Sequence, residues 1–156
     1  MRKVTHLVIH CTATPLNAKP EAIQSYWKNQ LKWKTPGYHK LIQADGLVID
    51  LLPDDKIANG VQGHNKHSLH VSWIGGMHSD DRTMAQRKAI AAVLLNWLRK
   101  YPQAKILGHC DLPGVKKACP RFDASSYEYL RNYLGSDLKD VPDPVDSTVP
   151  SPPFGL

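Results

Sequence analysis

Three side chains that can share one metal ion stand at two distant places in this 156-residue chain. His10 ends the first apolar run, whereas His109 and Cys119 lie in one loop that contains Pro113 and Gly114. Two histidines and one cysteine form a ligand set for Zn²⁺, and a zinc site with three protein ligands keeps its fourth position open for water. The set predicts a hydrolytic metal site rather than a structural zinc finger, which takes four ligands from the protein.

Only one histidine of the first apolar segment can belong to such a site. His6 and His10 lie on the same side of a predicted strand, about 13 Å apart at the usual rise per residue. We choose His10 because the apolar run ends there, before Thr12, so that a cleft can open at the strand end. Each residue alone has a simpler explanation, since lone histidines are commonly surface residues and lone cysteines commonly lie in the core.

Two further residues offer the groups that a zinc hydrolase needs. Zn²⁺ lowers the pKa of its bound water to about 7, which leaves proton handling and oxyanion stabilisation to side chains. Lys117 precedes Cys119 and is a cation that can stabilise developing negative charge. Tyr38 stands at a predicted strand start and offers a phenol near the cleft. From residue type alone, an exposed loop lysine and an aromatic packed on the core are the favoured interpretations.

The apolar periodicity predicts an α/β fold with a central mixed β-sheet flanked by helices. The predicted strands cover 4–11, 68–74 and 104–109, and a predicted hairpin covers 38–52 around an Ala44-Asp45-Gly46 turn. The predicted helices cover 20–32, a long segment that follows a Thr83 and Gln86 capping box, and a segment from Asp123 to Gly135.

Length and composition favour one domain, predicted at 1–135, followed by a proline-rich tail at 136–156. The chain is 42% apolar, which is enough for a single core without disulfides. No apolar stretch approaches the roughly 20 residues that cross a bilayer, so we expect no membrane insertion. The amino terminus lacks the apolar core and cleavage site of a signal peptide.

The chain is basic, with a net charge of +6, and this favours an anionic partner. Charge alone leaves nucleic acid, a membrane surface and bacterial wall polymer open. The lysines are scattered and no nucleic-acid module is recognisable, so we expect no nucleic-acid partner.

The three cysteines cannot all pair. Cys11 and Cys110 each follow a candidate ligand histidine. On extended strands they would point to the opposite face, so we predict buried thiols rather than a disulfide.

Several motifs taken together resemble one known family. In chain order they are Val8-Ile9-His10-Cys11-Thr12-Ala13-Thr14, Gly37-Tyr38-His39, the stretch 65–76, Gly108-His109 and Lys117-Ala118-Cys119-Pro120-Arg121-Phe122-Asp123. This combination resembles the zinc-dependent N-acetylmuramoyl-L-alanine amidases of the phage T7 lysozyme type, which are related to peptidoglycan recognition proteins. The resemblance covers about residues 5–134, and the Lys-Ala-Cys-Pro segment is its most specific part.

The resemblance implies an activity and a role for each candidate residue. The family hydrolyses the amide between the lactyl group of N-acetylmuramic acid and L-alanine of the peptidoglycan stem peptide. By resemblance the Zn²⁺ ligands are His10, His109 and Cys119, and the catalytic residues are Tyr38 and Lys117. The alternative is a non-catalytic recognition module that binds peptidoglycan in the same cleft. Related non-catalytic proteins typically lose the cysteine ligand, so Cys119 favours the enzyme.

The chain departs from the family pattern at one place. A segment that often reads Gly-x-His-Ala in relatives is Ala58-Asn59-Gly60-Val61 here, so a cleft histidine is missing. His64 or His67 could replace it, although a surface position is the simpler expectation for both. The departure bears on substrate preference more than on zinc binding.

The resemblance also bears on where the protein acts. A chain without a recognisable leader fits a phage or prophage lysin that is made in the cytoplasm and acts on the cell wall. A secreted effector, or a chain whose leader was trimmed, fits as well. We expect a monomer whose partner is peptidoglycan or a muropeptide.

Overall fold

A five-stranded mixed sheet forms the centre of the fold, as the sequence predicts. The computed structural model describes residues 2–144, and Met1 and residues 145–156 lie outside it. The strands are β1 (His6–Cys11), β2 (Lys40–Ile42), β3 (Val48–Asp50), β4 (Ser68–Trp73) and β5 (Lys105–Gly108). Their order across the sheet is β3-β2-β4-β1-β5. The β3 strand is antiparallel to β2, and the other neighbouring pairs are parallel.

The central strand β1 pairs with β4 on one side and with β5 on the other. Leu7, Val8 and Ile9 are fully buried, as expected of a parallel strand that is covered on both faces. The carboxyl ends of these three strands meet at one edge of the sheet, where α/β proteins commonly bind ligands. This edge receives His10 from β1 and His109 from the residue after β5.

Two α-helices were predicted correctly in position. The first helix, α1 (Pro20–Ser25), begins with proline in its first turn and continues as a π-helical turn at Tyr26–Gln30. The second, α2 (Met84–Lys100), begins with the predicted capping box, in which the Thr83 side chain accepts from the Gln86 N–H.

The third predicted helix is a 3₁₀ segment at Ala124–Tyr133, preceded by Asp123, whose side chain accepts from the Ser125 N–H. Its buried residues, Ala124, Tyr127 and Leu130, recur every three positions. This spacing suits the three residues per turn of a 3₁₀-helix better than the 3.6 of an α-helix.

The two faces of the sheet are covered differently. On one face Leu7, Ile9 and Val71 belong to the main core, together with residues of α2 and of the 3₁₀ segment. On the other face a smaller cluster joins Ile23 and Trp27 to Leu41. Because side chains alternate along a strand, His10 and Ser72 lie on this second face.

The predictions for Cys11 and Cys110 have different outcomes. Cys11 is buried in the main core, as expected. The prediction for Cys110 is wrong, because residues His109–Asp111 form a 3₁₀ turn instead of continuing the strand, and its side chain is exposed. All three cysteines are free thiols.

The described part of the predicted tail packs against the domain. Val141 contacts the main core, and the Tyr129 hydroxyl donates to the Pro142 carbonyl. The boundary at 135 stays a prediction, and residues 145–156 lie outside the described residues. Between residues 2 and 144 no helix is both long and apolar enough to cross a membrane.

Candidate metal centre

The structure brings His10, His109 and Cys119 together at the carboxyl edge of the parallel strands. One donor atom from each side chain lies within 4.8 Å of the other two. The Nδ1 atoms of the two histidines are 3.1 Å apart. Tetrahedral zinc with Zn–N bonds of about 2.0–2.1 Å separates two ligand nitrogens by about 3.4 Å, so the residues present fit this ion. His6 is not part of the group, and its Nδ1 bonds the Thr5 hydroxyl instead.

His10 is held inside the site by both of its ring nitrogens. Its side chain is buried, and burial lowers its pKa well below the usual value, with the positive charge of Lys117 adding to the effect. The ring is therefore neutral and has a lone pair for a metal. Its Nε2 lies 2.9 Å from Nδ1 of His70, on the side away from His109.

The loop that carries Cys119 folds back onto the end of β5, as its length predicts. The Cys110 N–H donates to the Cys119 carbonyl at 2.9 Å, which closes the loop. The Cys11 N–H lies 3.1 Å from the Cys119 sulfur and donates to it. A hydrogen bond with the Cys11 thiol, together with burial, raises the pKa of Cys119. A metal ion must displace the thiol proton to bind this sulfur.

Tyr38 reaches the site from the segment before β2. Its ring centroid lies 4.9 Å from that of His10. Burial raises the pKa of its hydroxyl well above the usual value, and the Ser72 hydroxyl opposes part of this shift. The phenol is therefore a proton donor at neutral pH.

Gly37 allows the chain to reach this position. A Cβ atom there would lie 3.1 Å from the Trp33 ring and 3.2 Å from the Trp27 ring. A side chain at 37 would therefore press on both tryptophans and shift Tyr38.

Lys117 is exposed at the rim of a cleft of about 440 Å³. Its positive charge lowers the pKa of both His10 and His109, for which burial is the larger cause. A second cleft of about 540 Å³ has Tyr38 in its wall and shares no lining residue with the first. The cleft with Lys117 is also lined by Trp33, Asn59, Gly60, Val61, Gln62, Gly63, Asn65 and His109.

The two histidines considered as replacements for the missing cleft histidine do not join the donor group. His67 is exposed and its Nδ1 bonds the Lys3 carbonyl, and His64 is half-buried outside the cleft lining. Besides His109, a second imidazole contacts His10; it belongs to His70, which the sequence analysis missed. Its pKa is lowered to about 3, mainly by burial, so this ring is neutral.

A signal for His70 is present in the sequence. Ser68, His70 and Ser72 alternate with apolar residues on β4, and all six residues of this strand are buried. Polar residues at every second position of a buried strand indicate a polar cavity on one face.

Known proteins resemble this chain in sequence and in fold. A family model described as N-acetylmuramoyl-L-alanine amidase matches residues 1–122, a range that includes all five candidate residues. The endolysin of Enterobacteria phage K11 is 29% identical over 142 residues, which cover 87% of this chain and 93% of that protein. The endolysin of Escherichia phage T7 is 28% identical over 138 residues, with 84% and 89% covered.

Solved structures share the fold. The Ph2119 endolysin from a Thermus scotoductus MAT2119 bacteriophage superimposes with a TM-score of 0.69 at 25% identity, covering 88% of both chains. Drosophila PGRP-LB superimposes with a TM-score of 0.66 at 18% identity, covering 77% of this chain and 76% of its own. The predicted fold class, a mixed sheet flanked by helices, is confirmed.

Proposed function

The chain belongs to the N-acetylmuramoyl-L-alanine amidase family, and we propose that it works with a Zn²⁺ ion held by His10, His109 and Cys119. The protein is a hydrolase of the amide bond between N-acetylmuramic acid and L-alanine in peptidoglycan. The observation that carries the zinc proposal is the convergence of two nitrogens and one sulfur within 4.8 Å. Held by these three residues, Zn²⁺ would supply an activated water at neutral pH and would polarise the carbonyl under attack.

The three proposed ligands differ in the charge that they bring to a bound dication. The neutral rings of His10 and His109 present Nδ1 lone pairs 3.1 Å apart. Cys119 offers a sulfur that gives up its proton on binding and so contributes one negative charge. Two neutral ligands and one anion leave the site with a net positive charge, which favours negative charge on a substrate oxygen.

Tyr38 orients the attacking water or assists proton transfer. Its hydroxyl keeps its proton because burial raises its pKa, so it enters the reaction as a donor. Its ring packs against His10 and, at 5.2 Å between centroids, against Trp27, which fixes its direction. A positioned donor of this kind contributes about 10²- to 10⁴-fold to a rate.

Lys117 stabilises the oxyanion that forms when the carbonyl is attacked. It lines the same cleft as His109. Burial lowers the pKa of both His10 and His109, and the positive charge of Lys117 lowers it further. A fixed cation close to the reacting carbonyl favours the tetrahedral state over the planar ground state. Lys117 is exposed, so it can meet a substrate that enters from solvent.

A long, anionic wall polymer suits the shape and charge of the protein. Clefts of about 440 and 540 Å³, lined by Lys117 and Tyr38 respectively, offer room for substrate beside the candidate residues. The net charge of +6 favours retention on anionic polymers, an effect that salt weakens. The similarity to phage endolysins supports action on the bacterial cell wall. Cys119 in the donor group disfavours a recognition module without activity.

Muropeptide release from purified sacculi tests the proposal with two matched cysteine variants. Cys119→Ser removes the proposed ligand, whereas Cys110→Ser alters an exposed thiol of the same loop that lies outside the donor group. We expect wild type and Cys110→Ser to release fragments at similar rates and Cys119→Ser to remain at background with no bound zinc. Equal release by the two variants would remove Cys119 and its metal from the mechanism.

A further inference from the structure

We propose that His70 is a positioning residue, which fixes the His10 ring so that its Nδ1 faces the metal position. This inference rests on the proposed function, because it concerns the setting of a proposed zinc ligand. It assigns a role to the fully buried imidazole of His70, which the reaction described above does not use.

The bond between the two rings determines which His10 nitrogen is free. His10 Nε2 lies 2.9 Å from His70 Nδ1, and His10 Nδ1 lies 3.1 Å from His109 Nδ1. A neutral imidazole that binds a metal through Nδ1 carries its proton on Nε2. In this state His10 donates to His70, and the donated bond fixes both the tautomer and the plane of the ring.

His70 is well placed to act as a fixed acceptor. Its backbone N–H donates to Nδ1 of His39, and its carbonyl accepts from the His39 N–H. The His39 ring in turn donates through Nε2 to the Lys56 carbonyl at 2.8 Å. The rings of His39 and His70 are parallel within 3° at a centroid distance of 6.0 Å. His39 and the strand pairing therefore hold His70 in place.

If His70 served packing alone, a buried imidazole would stabilise the fold less than an apolar side chain. Among residues 2–144, no group hydrogen bonds Nε2 of His70, so its side chain makes one such bond, to His10. A buried polar atom without a partner destabilises a fold, and an apolar side chain would avoid this loss. The bond to His10 is the contact that an apolar residue could not make.

The neighbouring Gly60 makes room for this ring. A Cβ atom at Gly60 would lie 2.2 Å from Nδ1 and 2.4 Å from Cε1 of His70. Any side chain at 60 must therefore displace the imidazole or be displaced by it. Gly60 belongs to the segment that departs from the family pattern. The His70 ring occupies the space that a side chain at position 60 would need.

Two variants that both branch at Cγ distinguish a hydrogen-bonding role of His70 from a packing role. His70→Asn keeps an acceptor, Oδ1, at the same number of bonds from Cα as Nδ1, whereas His70→Leu has a methyl group there. Zinc affinity of the metal-free full chain is measured by competition with a chromophoric chelator, and the Co²⁺ absorption spectrum reports the ligand geometry. Unfolding of the metal-free protein in urea reports stability.

We expect His70→Leu to weaken zinc binding about 10- to 100-fold, as loss of an outer partner of a ligand histidine does. Its metal-free stability should change little, because removal of the unpartnered Nε2 of His70 is offset by the loss of the partner of His10 Nε2. His70→Asn should recover most of the affinity and the wild-type Co²⁺ spectrum. Gly60→Ala should weaken binding by displacing the ring, whereas Gly135→Ala, whose Cβ meets nothing within 4 Å, should not.

The outcomes separate this inference from the proposed function. If wild type binds no zinc, the proposed function fails, and this inference with it. If wild type binds zinc and His70→Leu keeps its affinity and spectrum, the positioning role alone is overturned. Equal losses of affinity and stability in His70→Leu and His70→Asn would also overturn it, since they would show a packing role.

Discussion

The two faces of the sheet are built from alternate residues of the same strands, yet they differ in chemistry. On β1, Leu7 and Ile9 enter the main core while His10 turns to the site. On β4, Val71 enters the same core while His70 lies against His10. A shift of one residue in the pairing register of either strand would turn its histidine toward the core and its apolar residues toward the site. Strand pairing thus aligns the histidines while the opposite face supplies stability, so substitutions should separate activity from stability.

The largest effect is expected at Tyr38, on the site face. Tyr38→Phe keeps the ring contacts with His10 and Trp27 but removes the hydroxyl. We expect turnover of a soluble muropeptide to fall about 10²- to 10⁴-fold with zinc content and stability unchanged. Undiminished turnover would show that the hydroxyl has no part in the reaction.

Leu94, on the apolar face, should show the opposite pattern. It is fully buried in the main core. Leu94→Ala should lower the free energy of unfolding by about 2–5 kcal/mol, measured in urea on the metal-free protein, without changing the zinc affinity of the folded state. The exposed Asn96 of the same helix gives a control, Asn96→Ala, which should shift stability by no more than about 0.5 kcal/mol. A large loss of zinc affinity in Leu94→Ala would mean that the two faces are coupled.

Lys117 tests the rim of the site. Lys117→Ala should lower turnover about 10²- to 10³-fold through loss of oxyanion stabilisation and should leave zinc content intact. Lys116→Ala removes an equally exposed neighbouring charge and should have little effect. Release of zinc from Lys117→Ala, or equal effects of the two variants, would contradict the role assigned to Lys117.

The smallest effect is expected at Thr83, which belongs neither to the donor group nor to the lining of either cleft. Its hydroxyl accepts from the Gln86 N–H at 3.0 Å and donates to the Ala44 carbonyl at 2.6 Å. Thr83→Ala should lower the free energy of unfolding by about 1 kcal/mol, visible as a lower Tm of the metal-free protein. Turnover per folded molecule should not change, and a lower kcat would show that α2 influences the site.

Sequence reasoning was most successful where local pattern and chemistry coincide. The Thr83 and Gln86 capping box was identified because its two hydrogen bonds join residues three apart. The rise per residue of a strand prevents His6 and His10 from binding the same ion, so His10 was preferred. The structure places His10, and not His6, in the donor group. Tyr38 and Lys117 were singled out through the family resemblance, because their residue types alone favour simpler roles.

The missed features have different causes. His70 meets His10 through the pairing of β4 with β1, and nothing near His70 in the sequence specifies that pairing. The exposure of Cys110 follows from a turn in which the Gly108 N–H donates to the Asp111 carboxylate. The three-residue spacing of Ala124, Tyr127 and Leu130 was visible in the sequence, but the segment was interpreted as an α-helix.

Adding Zn²⁺ back to the metal-free protein shows whether amide hydrolysis depends on this ion. A defined muropeptide is incubated with metal-free protein at increasing Zn²⁺, and the broken bond is identified by mass spectrometry of the products. Without metal we expect no cleavage, and with added metal we expect cleavage between the lactyl group and L-alanine that saturates at one Zn²⁺ per chain. Full-rate cleavage by metal-free protein, or cleavage of a different bond, would contradict it.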